Sequence, residues 1–169
     1  MDLTETEQTF LERHHSAAMI TRRADGTPHA VRVALGLVAG KLWSSGTRTA
    51  PGSSHLRRDP RSKLFVFETA WRWLALDTTV SILDGVEAPE LNLRLFLTLQ
   101  EQMRFGPRAG GVMWAGEEIT PDEFLRIMVE EERLIYEFRV TRAHGLNGSR
   151  PDAEARNLDP WGSPSYQGA

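Results

Sequence analysis

Polar and apolar positions change their period several times along the chain, and each change marks an element. Thr4 and Glu7 stand at capping-box spacing ahead of Phe10 and Leu11, which starts a short helix near Thr4 that ends by the His14–His15 pair. Ser16 to Thr21 is a compact apolar segment and reads as a strand. Ala24-Asp25-Gly26-Thr27 follows, and Asp-Gly supplies the positive φ angles of a tight hairpin. A second strand is therefore expected from Pro28 to Leu35. A turn at Ala39-Gly40 leads to a third, Lys41 to Thr47. Three antiparallel strands this close in sequence predict a meander, and with it a barrel or sandwich.

The pattern then breaks. Thr49 to Ser54 is small and polar, and His55 to Asp59 reads as a short helix stopped by Pro60. Lys63-Leu64-Phe65-Val66-Phe67 is apolar on both faces, as a strand covered on both sides would be. In a small antiparallel barrel one of those covers is expected to be another subunit. Trp71 to Leu83 is a long strand with a bulge expected near Asp77-Thr78-Thr79. Leu91, Leu95, Leu99 and Met103 recur every four residues and predict a helix from Glu90 to Met103. A glycine-rich loop spans Phe105 to Gly116. Thr120-Pro121-Asp122-Glu123 is a second capping box, and Phe124, Ile127 and Met128 give its helix an apolar face. From Arg133 to Arg142, Leu134, Tyr136, Phe138 and Val140 alternate with Glu137 and Arg139, which predicts a closing strand. After Gly145 the chain turns polar, with Trp161 and Tyr166 its only large anchors. The order predicts an α+β, mainly β fold: an antiparallel barrel over residues 1–146 with helices at its periphery, and a polar tail over 147–169.

Composition narrows the chemistry. A chain of 169 residues is the size of one domain, and its 40% apolar content is ordinary for a globular protein. The formal charge of −3 gives no bulk attraction to nucleic acid or membranes. The chain has no cysteine, which excludes disulfides, thiolate catalysis and iron–sulfur ligation. The opening MDLTETEQTF has no apolar core of a signal peptide, and no run approaches the length of a membrane span, so a cytoplasmic location is expected. His14 and His15 are adjacent, and His29, His55 and His144 are scattered; no set has metal-ligand spacing. There is no glycine-rich dinucleotide loop and no serine elbow.

One segment carries a resemblance. His55-Leu56-Arg57-Arg58-Asp59-Pro60-Arg61, placed after Leu42-Trp43-Ser44-Ser45-Gly46-Thr47 and before the apolar Leu64 to Phe67, resembles the pyridoxamine 5'-phosphate oxidase-like split-barrel superfamily. It looks closest to the actinobacterial branch that uses the deazaflavin coenzyme F-420. Asp25-Gly26-Thr27-Pro28-His29, Arg133 at the head of the last strand, and Thr141 to Leu146 agree with it, so the resemblance spans residues 8–146. It implies an obligate-type homodimer with two equivalent sites at the interface. The cofactor ring would lie on the edges of the second and third strands, with its phosphate at the short helix. Matching positions are Arg32 and Val33, Ser45 and Thr47, and Ser53, Ser54 and His55, with Trp73 approaching from the partner. The activity implied is hydride transfer between reduced F-420 and a small organic acceptor. An FMN-dependent enzyme of the same fold, or a non-catalytic flavin- or haem-binding protein, are the alternatives. Relatives carry a Lys or Arg pair between the third strand and the position of Leu56. Here Thr49-Ala50-Pro51-Gly52-Ser53-Ser54 holds no base, and only Arg48 stands close.

Elementary chemistry gives the same residues both sharp and plain roles. A phosphate needs hydroxyls, free N–H groups and positive charge, which Ser53 and Ser54 at a helix start and the nearby Arg48, Arg57 and Arg58 can supply. A flat ring needs an apolar slot, and Val33, Trp43 and Trp73 are candidates. The plain alternatives are helix capping for the serines, a pairing of Arg57 or Arg58 with Asp59, and core or interface packing for Trp71 and Trp73, which would share one face of a strand. His29 and Tyr136 are candidate proton donors if they line the pocket.

Overall fold

In the computed structural model, which describes residues 2–69, 72–103 and 110–145, nine strands and four helices follow one another. They are α1 (Glu5–Leu11), β1 (Ser16–Arg22), β2 (Pro28–Ala34), β3 (Gly36–Val38), β4 (Lys41–Thr47), α2 (Pro51–Arg58), β5 (Arg61–Phe67), β6 (Trp73–Leu83), α3 (Ala88–Met103), β7 (Val112–Trp114), β8 (Glu117–Ile119), α4 (Pro121–Glu130) and β9 (Arg133–Gly145). Seven of the strands form one antiparallel sheet in the order β2-β1-β5-β6-β9-β4-β3, and β7 and β8 form a separate hairpin. The architecture is the predicted antiparallel barrel with peripheral helices. Among the described residues no helix is long and apolar enough to cross a membrane.

Residues 28–38 close the curl. β2 pairs with β1, Thr21 opposite His29 and Ala17 opposite Val33. At Leu35 the chain bends, its N–H donating to the His15 carbonyl at 2.8 Å. It then enters β3, which pairs with β4 at the opposite edge of the sheet. One run of chain thus belongs to both edges and draws β2 close to β4. The expected meander is corrected here. β4 does not pair with β2 but with β9, Leu42 opposite Phe138 and Thr47 opposite Arg133. Alternation shows which face of a strand is buried, not which strand lies beside it.

The barrel interior holds Ala17, Met19, Leu64, Val66, Leu74, Leu76, Leu134 and Phe138. Phe10 and Leu11 of α1 close one end, and Leu56 of α2 closes the other. Outside the barrel, Leu95 and Leu99 of α3 pack on Val38, Trp43 and Ile135. That layer explains why Ile135 is as buried as its neighbours Leu134 and Tyr136 although it points the other way. Phe124 and Met128 of α4 build a third cluster with Val112. Met103, the last residue of the α3 stripe, is 54% exposed.

Several boundaries differ from expectation for local reasons. α2 starts at Pro51, with Ala50 as an N-cap that makes no side-chain bond. Pro51 to Ser54 belong to the small, polar stretch expected ahead of the helix, yet proline at the first helical position is pre-set for a helix. Ser53, Ser54 and His55 are therefore the third to fifth residues of α2, not its start, and no serine caps it. The end of the predicted glycine-rich loop is a tight hairpin, β7–β8, turned at Ala115-Gly116, where both φ angles are positive. The bulge in β6 lies between Asp77 and Thr78, as read from the sequence. Trp71 and the tail over 147–169 lie outside the described residues.

The corner at β3 leaves no room for a side chain. A Cβ on Gly36 would stand 2.7 Å from Leu95 Cδ1 and 3.2 Å from Leu99 Cδ2, both in a packed cluster. Gly36→Ala is expected to destabilise the fold by about 1–3 kcal/mol through overpacking of α3 on the barrel corner. Urea unfolding followed by tryptophan fluorescence measures this, and an unchanged midpoint would contradict it.

Candidate functional site

Two strand edges face each other without partners. β2 is hydrogen-bonded only to β1. β4 is bonded to β9 along its length, but to β3 only as far as Trp43. The outer edge of β2 and the edge of Ser44 to Gly46 thus have no strand partner, the Thr47 carbonyl being taken by the Ser53 hydroxyl and the Ala50 N–H, and the two strands approach each other. Backbone N–H and C=O groups require partners, so a split of this kind suits a flat polar ligand whose edges supply them. The side chains agree. Val31 lies opposite the buried Met19, on the inner face of the sheet, yet is 39% exposed. His29 Nδ1 on β2 and Ser44 Oγ on β4 are buried with no hydrogen-bond partner.

The floor of the split is α2, fixed by one buried network. Ser53 Oγ donates to the Thr47 carbonyl at 2.5 Å and lies 2.6 Å from the Tyr136 hydroxyl, which then donates to Ser53. Burial, more than any other effect, pushes the Tyr136 phenol above its ordinary range, and the Ser53 bond opposes that. Tyr136 reaches this position across Gly46, where a Cβ would fall 2.5 Å from the phenol ring and hydroxyl. With its proton engaged by Ser53 and its ring buried, Tyr136 is a structural tie in this chain and does not line the split.

The other residues singled out from the sequence divide into three groups. At the split stand the backbone of Ser45 and Thr47, and on α2 beneath it Ser54 and His55. Ser54 is exposed and its hydroxyl donates to the Pro51 carbonyl at 2.9 Å. The Ser45 side chain turns the other way, donating to Asn92 Oδ1 of α3 at 2.6 Å, with Arg133 Nη1 at 3.5 Å. Arg32 donates to Ser16 Oγ at 2.9 Å from the outer face of the hairpin. A second group sits at the corner beyond β6: Arg57 donates to Asp84 at 2.7 Å, and Arg48 lies 3.7 Å from Asp84 and 3.3 Å from Glu132. These ion pairs are largely exposed, so each contributes little to stability. In the third group, Val33 is in the barrel core, Trp43 is beneath α3, and Trp73 stacks on Phe65 at 5.6 Å on the outer face of β5 and β6. Val33, Trp43 and Trp73 do not meet, so no ring slot forms from them within one chain. Asp59 takes Arg61 as its partner, through bonds of 2.9 and 2.8 Å that hold its carboxyl at about 2, and takes neither Arg57 nor Arg58.

A group that the sequence did not single out as a set gathers at the foot of the split. His55 Nδ1 is 3.0 Å from Thr21 Oγ1, and the His55 ring meets His29 edge-on at 5.2 Å. Desolvation holds His55 below the usual imidazole range, and His29, Arg58 and Arg23 push it further down. The signal was available in part: the Asp25-Gly26 hairpin sets Thr21 opposite His29. The docking of α2 against that pair was not.

No family model matches the chain, and no curated protein matches it in sequence. Solved structures do match in shape. A conserved hypothetical protein from Mycobacterium tuberculosis aligns with a TM-score of 0.63 at 18% identity, over 83% of this chain and 82% of that one. An F-420 reductase aligns with a TM-score of 0.60 at 19% identity, over 84% and 98%. A heme storage protein from Vibrio cholerae aligns with a TM-score of 0.58 at 13% identity, over 86% and 95%. The fold is the split β-barrel. It is the fold of the pyridoxamine 5'-phosphate oxidase-like proteins, as the segment around His55 to Arg61 implied, and at these identities the likeness is one of fold.

Two outcomes follow from the split barrel's floor. Tyr136→Phe and Ser53→Ala should each cost about 1 kcal/mol and add to less than their sum, because they remove parts of one network. A double-mutant cycle in urea tests this, and strict additivity would separate the two hydroxyls. The pH dependence has a definite sign. His55 and His14 are both held below 6.5, by desolvation first. The native state therefore binds fewer protons than the unfolded state between the folded value and 6.5, and stability falls as pH drops through that window. The carboxylates with resolved shifts, Asp25, Asp59, Asp77 and Asp84, are all lowered and act at more acidic pH. The melting temperature should decline between about pH 7 and pH 5, and less steeply in His55→Gln. Identical slopes in the two proteins would remove His55 from the effect.

Proposed function

We propose that the chain is a homodimeric oxidoreductase that holds a flavin-type cofactor in the split between β2 and β4, with coenzyme F-420 as the first choice. The observation that carries this reading is the pair of unpaired strand edges facing each other above α2. A tricyclic ring has an apolar face for Val31 and heteroatoms along its rim for the backbone groups of β2 and of Ser44 to Gly46. The buried, unpartnered His29 Nδ1 and Ser44 Oγ fit a ligand that brings hydrogen-bonding atoms of its own. Ser54 and His55 stand below for its polar tail. The likeness to an F-420 reductase supports the choice of cofactor.

When bound, such a cofactor supplies hydride chemistry, and the protein's part is to bind, orient and exclude water. Tyr136 and Ser53 hold α2 against β4 and β9, which fixes the floor of the slot. No dedicated acid–base pair is required. His29 is the one titratable group on the inner face of β2 placed to hold a proton near the ligand.

The dimer is part of the proposal. Phe65 and Trp73 stack on the outer face of β5 and β6, and Phe67, 60% exposed, extends that surface. Trp73 lies on the face of the sheet away from its own split, so it can cover a cofactor only in a partner. A second reading, an FMN-dependent enzyme or a non-catalytic binder of the same fold, draws on the lack of any base between Thr49 and Ser54.

Fluorescence titration with F-420 and with FMN separates these readings. Saturable binding of F-420 at micromolar concentration, with FMN at least about tenfold weaker, is expected. Trp73→Ala should weaken binding by about tenfold, the size of one lost aromatic contact. Preference for FMN would move the assignment to the second reading, and binding of neither would overturn it. Sedimentation as a monomer at micromolar concentration would overturn the dimer.

A further inference from the structure

Asn92 stands where a hydrophobic side chain is expected. The buried residues of α3 are Ala88, Asn92, Leu95 and Leu99, which recur at helical spacing along the face that packs on the barrel. Asn92 lies in that stripe at 0% exposure. Asparagine is a weaker helix former than leucine, and burying its amide is unfavourable unless both ends are bonded. Here Nδ2 donates to the Ala88 carbonyl at 2.9 Å, one turn back, and Oδ1 accepts from the Ser45 hydroxyl of β4 at 2.6 Å. Ser45 Oγ also has Arg133 Nη1 at 3.5 Å, and that guanidinium is paired with Glu131 at 2.7 Å and lies over the Trp114 ring at 4.9 Å. Packing alone does not ask for the Asn92–Ser45 pair, because two apolar side chains of similar size would fill the place with no polar group to satisfy.

The backbone of Ser45 shows what this pair holds. Ala39 and Gly40, both at positive φ, are the central residues of the β3–β4 turn, so Val38 and Lys41 bond to each other across it. In an antiparallel ladder the residues that bond to one neighbour recur at every second place. Lys41, Trp43, Ser45 and Thr47 therefore direct their N–H and C=O groups to the β3 side of β4, and Leu42, Ser44 and Gly46 direct theirs to β9. Two bonds agree with this phase. The Thr47 carbonyl is taken by Ser53 and Ala50 and not by β9, and the Arg48 N–H donates to Glu132, the residue ahead of β9, at 3.1 Å. The pairing with β3 ends at Gly36 opposite Trp43. Ser45 is thus the residue of β4 whose own N–H and C=O both open into the split, and its side chain is the handle by which α3 holds it.

We infer that Asn92 is a positioning residue for the ligand of the split and acts through Ser45. Its bond fixes the Ser45 side chain behind the sheet, and with it the direction in which the Ser45 N–H and C=O point at the edge. A strand with a neighbour on one side only can twist about its own axis, and a tie to a buried position on a helix removes that freedom. Asn92 acts from behind the sheet and reaches the ligand only through Ser45. The inference rests on the reading that the split holds a flavin-type ligand with heteroatoms along its rim. It deepens that reading by naming the residue that pre-organises one donor and one acceptor before the ligand arrives, which lowers the cost of ordering them on binding.

The test compares the full chain with Asn92→Ala, Ser45→Ala, the double variant and Leu91→Ala. Leu91 packs on the same α3 cluster through apolar contacts, so its truncation lowers stability without touching the tie. In the free proteins, amide relaxation by NMR reports the order parameter of the N–H at position 45. A value of about 0.85 is expected in the wild type and in Leu91→Ala, with a fall toward about 0.6 in Asn92→Ala and Ser45→Ala. Whichever of F-420 or FMN the wild type binds should bind about tenfold more weakly to Asn92→Ala and to Ser45→Ala, and no more weakly again to the double variant. Leu91→Ala should bind it as the wild type does. An unchanged order parameter at position 45, losses that add in the double variant, or an equal loss in Leu91→Ala would each overturn the inference, the last by showing that Asn92 acts through stability alone. If Asn92→Ala does not fold, Ser45→Ala removes the same bond from a half-buried position and carries both measurements. Binding of neither chromophore by the wild type would overturn the cofactor reading, and the relaxation measurement would then decide by itself whether Asn92 fixes the Ser45 edge.

Discussion

The structure depends on how a seven-stranded sheet closes. A curled sheet has two edges whose backbone groups must find partners, and here one run of chain, residues 28–38, serves both. It pairs with β1, bends at Leu35, and pairs with β4 for three residues. That solution satisfies the top of the closure and leaves the rest open. Full closure by hydrogen bonds would bring β2 and β4 within about 5 Å of each other, the spacing of neighbouring strands, and would remove any space between them. The bend at Leu35 and the close packing of Gly36 under Leu95 and Leu99 hold the two strands apart below the corner. The slot is a consequence of this partial closure, so its width is set by the barrel and not by the residues that line it.

A slot also needs a floor that does not drift. α2 is only two turns long and follows a loop, so intrinsic helix stability cannot hold it. Leu56 anchors it in the barrel core, and Ser53 ties its first turn to Thr47 and Tyr136. That tie asks for a tyrosine on β9, a residue without a side chain two places along β4 from the one opposite it, and a hydroxyl on the helix. Tyr136, Gly46 and Ser53 meet those three requirements from positions far apart in the chain. A buried hydroxyl pair with both protons placed costs little, whereas either partner alone would be left unsatisfied. The same tie takes Ser53 out of the pool of ligand contacts, although a serine near a helix start invites that role.

The amino-acid pattern made the elements of the barrel legible. The alternation in Arg133 to Arg142, the Asp25-Gly26 hairpin and the four-residue recurrence from Leu91 each reported a local geometry, and each element formed. Neighbour relations were less visible, since β4 lies beside β9 through contacts about ninety residues apart that no local period records. Among the site residues the same division holds. Ser54, His55 and the edge at Ser45 to Thr47 were found because a short motif names them. Arg48 and Arg57 were named by their nearness to that motif in sequence, but Asp84 at the end of β6 turns both toward the far corner. Thr21, His29 and Arg23 come from the hairpin, and only the docking of α2 on β1 joins them to His55 and Arg58.

This asymmetry about α2 bears on what the site can select. Permanent cations beside a slot attract any anion at any pH, and their field favours affinity over discrimination. His55, held below the usual imidazole range by desolvation and then by His29, Arg58 and Arg23, presents less charge to solvent than a permanent cation would. It follows from three features on three elements: the hairpin register that sets His29 opposite Thr21, the bond from Thr21 that orients His55, and the turn of α2 that sends Arg58 to the hairpin.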